Sequence, residues 1–219
     1  MKEIRGIQVL ETIEEIVNPK HTALLIIDVQ NDTSSPKGFI ASQGKDISWV
    51  RDVLPRIKTV IVQARQLGLL IIFVRVTSSK SGAYESGPRM RLLGKNILPV
   101  HAVEYKLEGT WGNEVSDELE PSENEPQIIK YRSSAFLGTP LDIVLKNKGI
   151  KTVVLTGLAT EGCVETSARD AEQHGYYVVV LQDCVCSPRP DLHKTSLSLM
   201  SYRYEVTSSI ELLRLWHSA

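Results

Sequence analysis

Residues 151–171 read KTVVLTGLATEGCVETSARDA, and this stretch decides how the rest of the chain is interpreted. Residues 153–155 form a β-branched, apolar run that ends at Gly157, which predicts a strand buried on both faces. Apolar residues then recur at helical spacing, which predicts a helix that begins near Thr160, its expected N-cap. The segment is therefore a strand, a turn and a helix, with Cys163 in the first turn of the helix.

Cys163 has two interpretations. Unpaired backbone N–H groups and the helix dipole favour a thiolate at a helix start, so a cysteine there can be a nucleophile near neutral pH. A structural role is the alternative, because free cysteine is among the most buried residue types. Gly157 and Gly162 bracket the turn and let backbone N–H groups approach a ligand closely, as an oxyanion hole requires. These neighbours favour the nucleophile.

Length and composition indicate one globular α/β domain over residues 1–219, since no Pro-, Ser- or Gly-rich linker divides the chain. The net charge of −1 gives no basic surface for nucleic acid. The longest apolar runs, 24–29 and 69–76, are far shorter than the roughly 20 residues that span a bilayer. The start of the chain, MKEIRGIQVLETIEE, has acidic residues where a signal peptide would be apolar, so we expect a cytoplasmic protein.

Cysteine usage argues against a disulfide framework. The 3 cysteines, Cys163, Cys184 and Cys186, make an odd count without framework spacing, which is typical of a reducing compartment. Cys184 and Cys186 could bind a metal, but no HxxxH motif or second cysteine pair accompanies them, so a buried strand end is favoured. The 5 histidines are scattered singly along the chain and give weak support for a histidine-based site.

Hydrophobic patterns elsewhere predict an α/β fold with a mostly parallel sheet of about six strands. The predicted strands besides 153–155 are 22–27, 69–76, 127–130, 176–181 and 204–207, and the predicted helices besides the one after Cys163 are 46–68, 137–148, 191–201 and 210–216. Residues before His21 are expected to be an arm that packs on the surface or on a partner. Residues 77–111 are irregular and predict a long excursion over the strand ends, where loops often form substrate walls.

Three residues share a position in this predicted sheet. Asp28, Lys130 and Cys163 each lie at or just after the carboxyl end of a strand, and such ends lie side by side in a parallel sheet. Taken singly, Asp28 is better explained as a turn residue and Lys130 as a solvated strand end. Together they predict a nucleophilic cluster, in which Asp28 transfers the thiol proton and Lys130 stabilises the thiolate.

The segments LLIIDVQND, IIKYRSSAF and TGLATEGCVETSARDA, read together, resemble the isochorismatase-like family of cysteine hydrolases. The resemblance covers most of the chain. It implies a three-layer Rossmann-like fold and a catalytic triad of Asp28, Lys130 and Cys163. It also implies a cis peptide bond between Leu158 and Ala159, with the backbone N–H groups of Ala159 and Cys163 forming the oxyanion hole.

Departures from the family patterns narrow the expected chemistry. Isochorismatases proper lack a cysteine at the nucleophile position, so Cys163 favours amide hydrolysis through a thioester acyl-enzyme. Nicotinamidases usually carry an Asp and His metal cluster after the first strand, whereas NDTSSPKGF at 31–39 has no histidine. We therefore expect no metal and no other cofactor. Taken together, the segments EGTWGNEV, KYRSSAFLGTPLD and ATEGCVETSARDA look most like those of ureidoacrylate and carbamoyl-amide hydrolases.

The expected partner is a small amide, ureido or carbamoyl compound, bound by a homo-oligomer, either a dimer or a tetramer. Asn31, Trp111 and Phe136 are predicted to contact the substrate because they lie beside the triad segments, although Trp111 and Phe136 could equally be core aromatics. Other functions stay open at this stage. They are a binding protein of the same fold without catalysis, a nicotinamidase-type amidase and, least favoured because no GxGxxG or GxxxxGK[ST] motif is present, a nucleotide-binding module.

Overall fold

Strands and helices alternate along most of the computed structural model of the protein, which describes residues 1–96 and 104–218. The strands in those residues are β1 (Lys2–Ile4), β2 (Ile7–Val9), β3 (Thr22–Ile27), β4 (Leu70–Val76), β5 (Gln127–Lys130), β6 (Thr152–Leu158), β7 (Tyr177–Cys186) and β8 (Glu205–Thr207). The α-helices are α1 (Ile13–Ile16), α2 (Asn31–Ser34), α3 (Phe39–Ser42), α4 (Ser48–Arg51), α5 (Leu54–Gln66), α6 (Gly87–Asn96), α7 (Leu141–Asn147), α8 (Glu165–Gln173), α9 (Pro190–Arg203) and α10 (Ser209–His217). Three short 3₁₀ helices, Pro19–His21, Trp111–Asn113 and Asp117–Leu119, and a π-helical turn, Thr160–Val164, complete the described elements.

One parallel sheet organises the fold, with its 6 strands in the order β5-β4-β3-β6-β7-β8. The chain builds outward from β3 to β5, returns to β6 beside β3, and then builds outward to β8. The strand order therefore reverses between β3 and β6, and sheets of this kind bind ligands outside the carboxyl ends of the strands at that reversal. The predicted α/β fold is confirmed, and β1 and β2 form a separate antiparallel hairpin.

Alternate residues of β3 face two hydrophobic clusters, which gives the fold three layers. Leu24 and Ile26 belong to the cluster that includes residues of α5 and α10, whereas Leu25 and Ile27 belong to the cluster that includes residues of α7 and α8. Every residue of β3 is buried, as expected for a central strand covered by helices on both faces. Burying a side chain of this size stabilises the fold by about 1.5–3 kcal/mol.

The first 21 residues pack against the body of the protein. The backbone N–H of Leu10 donates to the Tyr177 hydroxyl at 2.8 Å, and Nε1 of Trp216 donates to the Val17 carbonyl at 2.9 Å. Trp216 is itself buried in one of the two core clusters, so α10 and the start of the chain hold each other. Within the described residues, no helix is both long enough and apolar enough to cross a membrane.

Two predicted helices have different bounds because of proline. The predicted helix 46–68 is divided into α4 and α5, and Pro55 is the second residue of α5, where its missing N–H needs no partner. The predicted helix 137–148 begins only at Leu141, with Pro140 as its N-cap. The predicted irregular segment 77–111 contains α6, and its residues 97–103 lie outside the described residues.

Strand β7 is longer than predicted. The sequence predicts a strand at 176–181 and a turn at 183–190, although it favours a buried strand end for Cys184 and Cys186. In the structure β7 continues to Cys186, which pairs with Leu158 after a register shift in β6. The polar Asp183 suggested a turn, yet its carboxylate accepts hydrogen bonds at the start of α10 while the strand continues. The carboxyl ends of β6 and β7 therefore lie side by side, each with a cysteine nearby.

Candidate active site

Asp28 is the first residue after β3 and turns the chain out of the sheet. Its φ of 58° lies in the left-handed region, which few residues other than glycine adopt. Its backbone N–H donates to the Val74 carbonyl at 2.8 Å and continues the ladder with β4 by one bond. The residue is only 1% exposed, and Oδ1 of its carboxylate accepts a hydrogen bond from the Val76 N–H at 2.9 Å. The carboxylate is therefore held beside the carboxyl end of β4.

Lys130 is the last residue of β5 and is 0% exposed. Its Nζ donates to Oδ2 of Asp28 at 2.9 Å and to the Arg132 carbonyl at 3.0 Å. The parallel register places Lys130 beside Val76, so β4 provides the donor for one carboxylate oxygen and β5 provides the donor for the other. The alternative of a solvated strand end is wrong, because the Lys130 side chain is fully buried and its charge is paired with that of Asp28.

Cys163 lies in the π-helical turn that joins β6 to α8. The N-cap of this turn is Ala159, and no side chain caps it. The predicted cap, Thr160, is wrong by one residue, because its hydroxyl hydrogen-bonds to Nδ1 of His193 at 2.8 Å instead. The Thr160 side chain therefore attaches the turn to α9. We call this side of the turn, where Thr160 meets His193, its outer side.

A close approach of β3 to β6 brings the Cys163 turn to the Asp28 end of the sheet. Ile27 pairs with Gly157, and a Cβ on Gly157 would lie 2.0 Å from the Ile27 carbonyl oxygen. Gly157 also has a φ of 108°, so glycine is required both by the space and by the backbone conformation. The peptide bond that follows, between Leu158 and Ala159, is cis, as the family resemblance implies.

The Cys163 thiol lies near both members of the ion pair, because the charges of Asp28 and Lys130 each shift its pKa. Burial raises the pKa of Cys163 and the Asp28 carboxylate raises it further, while Lys130 lowers it, with a resulting pKa of about 11. Burial and Asp28 therefore favour the thiol, against the thiolate that the helix start and Lys130 favour, although the residue as a whole is only half-buried. Burial lowers the pKa of Lys130, but Asp28 and Cys163 raise it more, and the ammonium stays charged.

A thiol near a buried carboxylate–ammonium pair, at the carboxyl ends of parallel strands, can be compared with the sites of known proteins. Residues 22–211 match the model of the isochorismatase domain. The chain belongs to the isochorismatase family. It is therefore a hydrolase, as the sequence predicts.

Three solved structures are similar to this isochorismatase-family hydrolase over most of its length. A cysteine hydrolase from Pseudomonas syringae pv. phaseolicola 1448A is 26% identical, with a TM-score of 0.81 over 93% of this chain and 95% of that chain. An N-carbamoylsarcosine amidase from Thermoplasma acidophilum is 27% identical, with a TM-score of 0.68 over 86% and 96%. A nicotinamidase/pyrazinamidase from Bacillus subtilis is 25% identical, with a TM-score of 0.71 over 86% and 100%.

The polar atoms of Asn31, one of three predicted substrate contacts in this family member, are already bonded within the chain. Its Nδ2 donates to the Trp111 carbonyl at 3.1 Å and to Oδ1 of Asp117 at 3.0 Å, and its Oδ1 accepts from the Asp117 N–H at 3.0 Å. Trp111 is 44% exposed, and its Nε1 donates to the other oxygen of Asp117 at 3.0 Å. Asn31 therefore holds the Trp111 segment, and a substrate contact from either residue stays a prediction.

Phe136, the third predicted contact, is buried in the core cluster that α7 and α8 share. Its ring stacks on His174 with centroids 5.0 Å apart and lies 6.0 Å from the Tyr176 ring. These contacts agree with the alternative that the sequence leaves open, a core aromatic. Contact between Phe136 and a substrate stays a prediction.

Asp32 lies in the segment where the sequence lacks the histidines of a nicotinamidase metal cluster. Its Oδ1 accepts from the Phe39 N–H at 3.1 Å and its Oδ2 from the Lys106 N–H at 2.6 Å. Gly112 packs so closely on the carboxylate that a Cβ there would lie 2.1 Å from Oδ1. Across residues 1–96 and 104–218, no group of three or more His, Cys, Asp and Glu side chains could hold a metal ion. The residues do not fit a metal, and metal-free catalysis stays a prediction.

Lys106 is the residue beside the site that sequence reasoning missed. It is 3% exposed, and its Nζ donates to the backbone carbonyl of Asp28 at 3.2 Å. Lys106 comes from the irregular segment 77–111, where no strand or helix pattern places it next to β3. Only the fold brings this second buried lysine to the Asp28 end of the sheet.

Proposed function

We propose that the protein is a cysteine-dependent amidohydrolase that cleaves a small amide, ureido or carbamoyl substrate and releases ammonia or carbamate. The observation that carries the proposal is the buried Asp28–Lys130 ion pair, which lies close enough to Cys163 for both charges to shift the pKa of its thiol. A nucleophile, a proton acceptor and a fixed positive charge are the three groups that acyl transfer to a thiol requires.

Acylation begins with the protonated thiol, since the pKa of Cys163 is raised to about 11. Asp28 accepts the proton as Sγ attacks the substrate carbonyl carbon, so a free thiolate does not need to form beforehand. The carbonyl π bond opens to an oxyanion. When the oxyanion collapses, the C–N bond breaks and Asp28 returns the proton to the departing nitrogen. The products of this step are an amine or ammonia and a thioester on Cys163.

Lys130 stabilises the negative charge that moves from the sulfur to Asp28 and back during this step. Its ammonium donates to Asp28 and interacts electrostatically with Cys163, so the charge stays within reach of one cation throughout the transfer. The backbone N–H groups of Ala159 and Cys163 are the proposed donors to the oxyanion. In the described parts of the chain, the Ala159 N–H has no acceptor, which leaves it available for this role.

Deacylation repeats the chemistry with water in place of the thiol. Asp28 takes a proton from water, the oxygen attacks the thioester carbon, and the C–S bond breaks when the second oxyanion collapses. The sulfur leaves as a thiolate beside Lys130 and takes the proton back from Asp28, which restores the neutral thiol. Because the same carboxylate acts in both halves, the cycle needs no further acid or base.

The proposed substrate class rests on the nucleophile and on relatives. An amide, a ureido group and a carbamoyl group each present a carbonyl carbon bonded to nitrogen, which is the bond that a cysteine nucleophile cleaves through a thioester or thiocarbamate. The similar N-carbamoylsarcosine amidase and nicotinamidase/pyrazinamidase are named for two members of this class. Both carboxylate oxygens of Asp32 accept hydrogen bonds from backbone N–H groups, which favours a carbamoyl amidase over a nicotinamidase that contains a metal.

The test is an ammonia-release assay on a panel that includes N-carbamoylsarcosine and nicotinamide, followed by intact-mass measurement of the enzyme quenched during turnover. We expect release from at least one carbamoyl or amide compound and a mass increase equal to its acyl group on the peptide that contains Cys163. Cys184→Ala is the matched control, because it removes another buried thiol and should leave the adduct in place. Turnover with an adduct elsewhere, or unaffected by loss of Cys163, would contradict the proposal.

We further infer that the protein works as a homo-oligomer, a dimer or a tetramer, in the cytoplasm, where a catalytic thiol stays reduced. Leu199 and Tyr202 lie three residues apart on α9, and both are exposed, which supports a contact surface there. Light scattering after size-exclusion chromatography measures the mass directly. A particle of the single-chain mass, 24.4 kDa, at working concentrations would contradict the oligomer.

A further inference from the structure

Lys106 is a buried cation that the proposed mechanism does not use. Its Nζ lies 3.2 Å from the backbone oxygen of Asp28 and 5.3 Å from the centre of the Tyr105 ring. Among the described residues, no carboxylate lies within ion-pair distance of this ammonium, although Lys130, the other buried lysine of the site, has one. Burying a lysine is costly, so an ammonium kept at this position needs a role that a neutral side chain would not fill.

The contact of Lys106 with Asp28 falls on a backbone group that has left the sheet. Because Asp28 has a φ of 58°, its carbonyl no longer follows the direction of the β3 ladder. A buried carbonyl needs a donor, and the Lys106 ammonium is its donor in the described residues. The same left-handed conformation presents the Asp28 carboxylate to Val76 and Lys130. A bond to the carbonyl therefore supports the conformation on which the carboxylate depends.

Lys106 is itself fixed by hydrogen bonds to its backbone. Its N–H donates to Oδ2 of Asp32 at 2.6 Å, and its carbonyl accepts from the Ser78 N–H and from Nδ2 of Asn113, both at 2.9 Å. Asp32 lies in α2, Ser78 follows β4, and Asn113 lies in a 3₁₀ helix. The ammonium is therefore presented to Asp28 from a backbone that is fastened to three neighbouring segments.

We infer that Lys106 is a positioning residue for the general base: its ammonium holds the Asp28 carbonyl and thereby fixes the carboxylate that receives the Cys163 proton. This inference rests on the proposed function, because it assumes that Asp28 is the base. It assigns no contact between Lys106 and the substrate. Losing the ammonium should therefore slow turnover without weakening substrate binding.

The test is a double-mutant cycle on whichever of N-carbamoylsarcosine and nicotinamide the enzyme hydrolyses faster. Lys106→Met keeps the length and apolar stem of the side chain and removes the donor. We expect kcat to fall about 10²-fold with KM changed less than about twofold, since small misplacements of a catalytic group have effects of this size. In an Asp28→Asn background, the same substitution should lower kcat by less than about twofold further, because no base remains to be positioned.

Lys58→Met is the matched control, because Lys58 is a surface lysine paired with Glu120 and should leave kcat unchanged. A full additive loss in the Asp28→Asn background would overturn the inference, as would a raised KM with unchanged kcat, which would make Lys106 a substrate-binding residue. Lys106→Ala with added ethylamine provides a second measurement if Lys106→Met folds poorly. Rescue of kcat supports the ammonium role, and absence of rescue in folded protein contradicts it. Full activity of Asp28→Asn alone would instead contradict the proposed function, in which Asp28 is the general base.

Discussion

The ends of β6 and β7 lie side by side, and each has a buried thiol, but their surroundings differ. Cys163, after β6, lies near Asp28, which raises the pKa of its thiol, and near Lys130, which lowers it. Cys186, the last residue of β7, pairs with Leu158, and no cation of the described residues lowers its pKa; burial raises the pKa, and the nearby carboxylate of Glu161 raises it further. Position at a strand end and burial are common to both thiols.

The difference teaches that the buried ammonium of Lys130 separates the two thiols, since a carboxylate lies near each of them and neither has a low pKa. The pKa of Cys163 is about 11 and that of the nearby Cys184 is about 12, both raised chiefly by burial. A thiol with such a pKa reacts quickly only where a base accepts its proton during attack. Of the two nearby carboxylates, Asp28 and Glu161, only Asp28 has a lysine as its ion-pair partner among the described residues, and we therefore propose the chemistry at Cys163.

The largest expected effect is the loss of the nucleophile. Cys163→Ala and Cys163→Ser should each lower kcat by more than about 10³-fold, because the thioester cannot form and serine is a far weaker nucleophile at this position. Steady-state ammonia release measures the loss, with circular dichroism as the check on folding. Cys186→Ala should retain activity close to that of the parent protein. Equal losses at the two positions would remove the distinction between the two strand ends.

Asp28→Asn comes next. The amide cannot accept the thiol proton, and general base catalysis contributes about 10²–10⁴-fold, so we expect kcat to fall about 10³-fold. The substitution keeps the size of the side chain and an acceptor for the Val76 N–H, so the fold should persist. A loss of less than about tenfold, or roughly 1.4 kcal/mol of barrier, would leave Asp28 as a turn residue only.

Part of this site could be predicted from the sequence because it follows from strand ends. Asp28 and Lys130 directly follow or end short apolar runs, and a parallel sheet must bring such ends to one edge. The thiol pKa could not be predicted in the same way, because the helix start favours a thiolate while burial and Asp28 favour the thiol. Their balance depends on how the loops cover the sulfur, which local sequence does not encode.

Lys106 and β7 illustrate the other limit. Lys106 reaches Asp28 from a segment of mixed composition whose path is determined by bonds to Asp32 and Asn113, far away in sequence. The end of β7 could not be predicted, because Asp183 is a polar residue that is typical of a turn. Its carboxylate is instead bonded to Ser209, which lies far away in sequence. In both places a tertiary hydrogen bond, rather than local propensity, decides the structure.

Lys130→Ala should have the third largest effect, a fall in kcat of about 10²-fold, comparable to the loss of one donor that stabilises developing charge. Lys130 lowers the pKa of Cys163, so its removal should move the pH at which iodoacetamide modifies Cys163 upward. Lys130→Arg should also fail, since a planar fork does not fit the position of a compact ammonium. The alkylation profile against pH is the measurement, with Lys58→Ala as the surface control. An unmoved profile would refute the electrostatic role even in an inactive variant.

The smallest effect is expected on the outer side of the Cys163 turn, where His193 hydrogen-bonds to Thr160 and touches none of the proposed catalytic groups. His193→Gln should leave kcat within about twofold and lower the free energy of unfolding by about 1 kcal/mol, the usual net value of one hydrogen bond.

The pH dependence of stability gives the sharper result, because burial lowers the pKa of His193 below its ordinary value of 6.5, opposed by Glu161. A histidine with a lowered pKa in the folded state binds more protons when unfolded. Its contribution to stability is therefore present above about pH 6.5 and is lost as the pH falls toward the folded-state pKa. Denaturant melts between pH 5 and 7 should consequently have a smaller slope against pH in His193→Gln than in the parent protein. The slope should not vanish, since burial lowers the pKa of His21 as well.

If His193→Gln instead lowered kcat as much as Lys130→Ala, the outer side of the turn would belong to the chemistry, and the contrast between the two sides would fail.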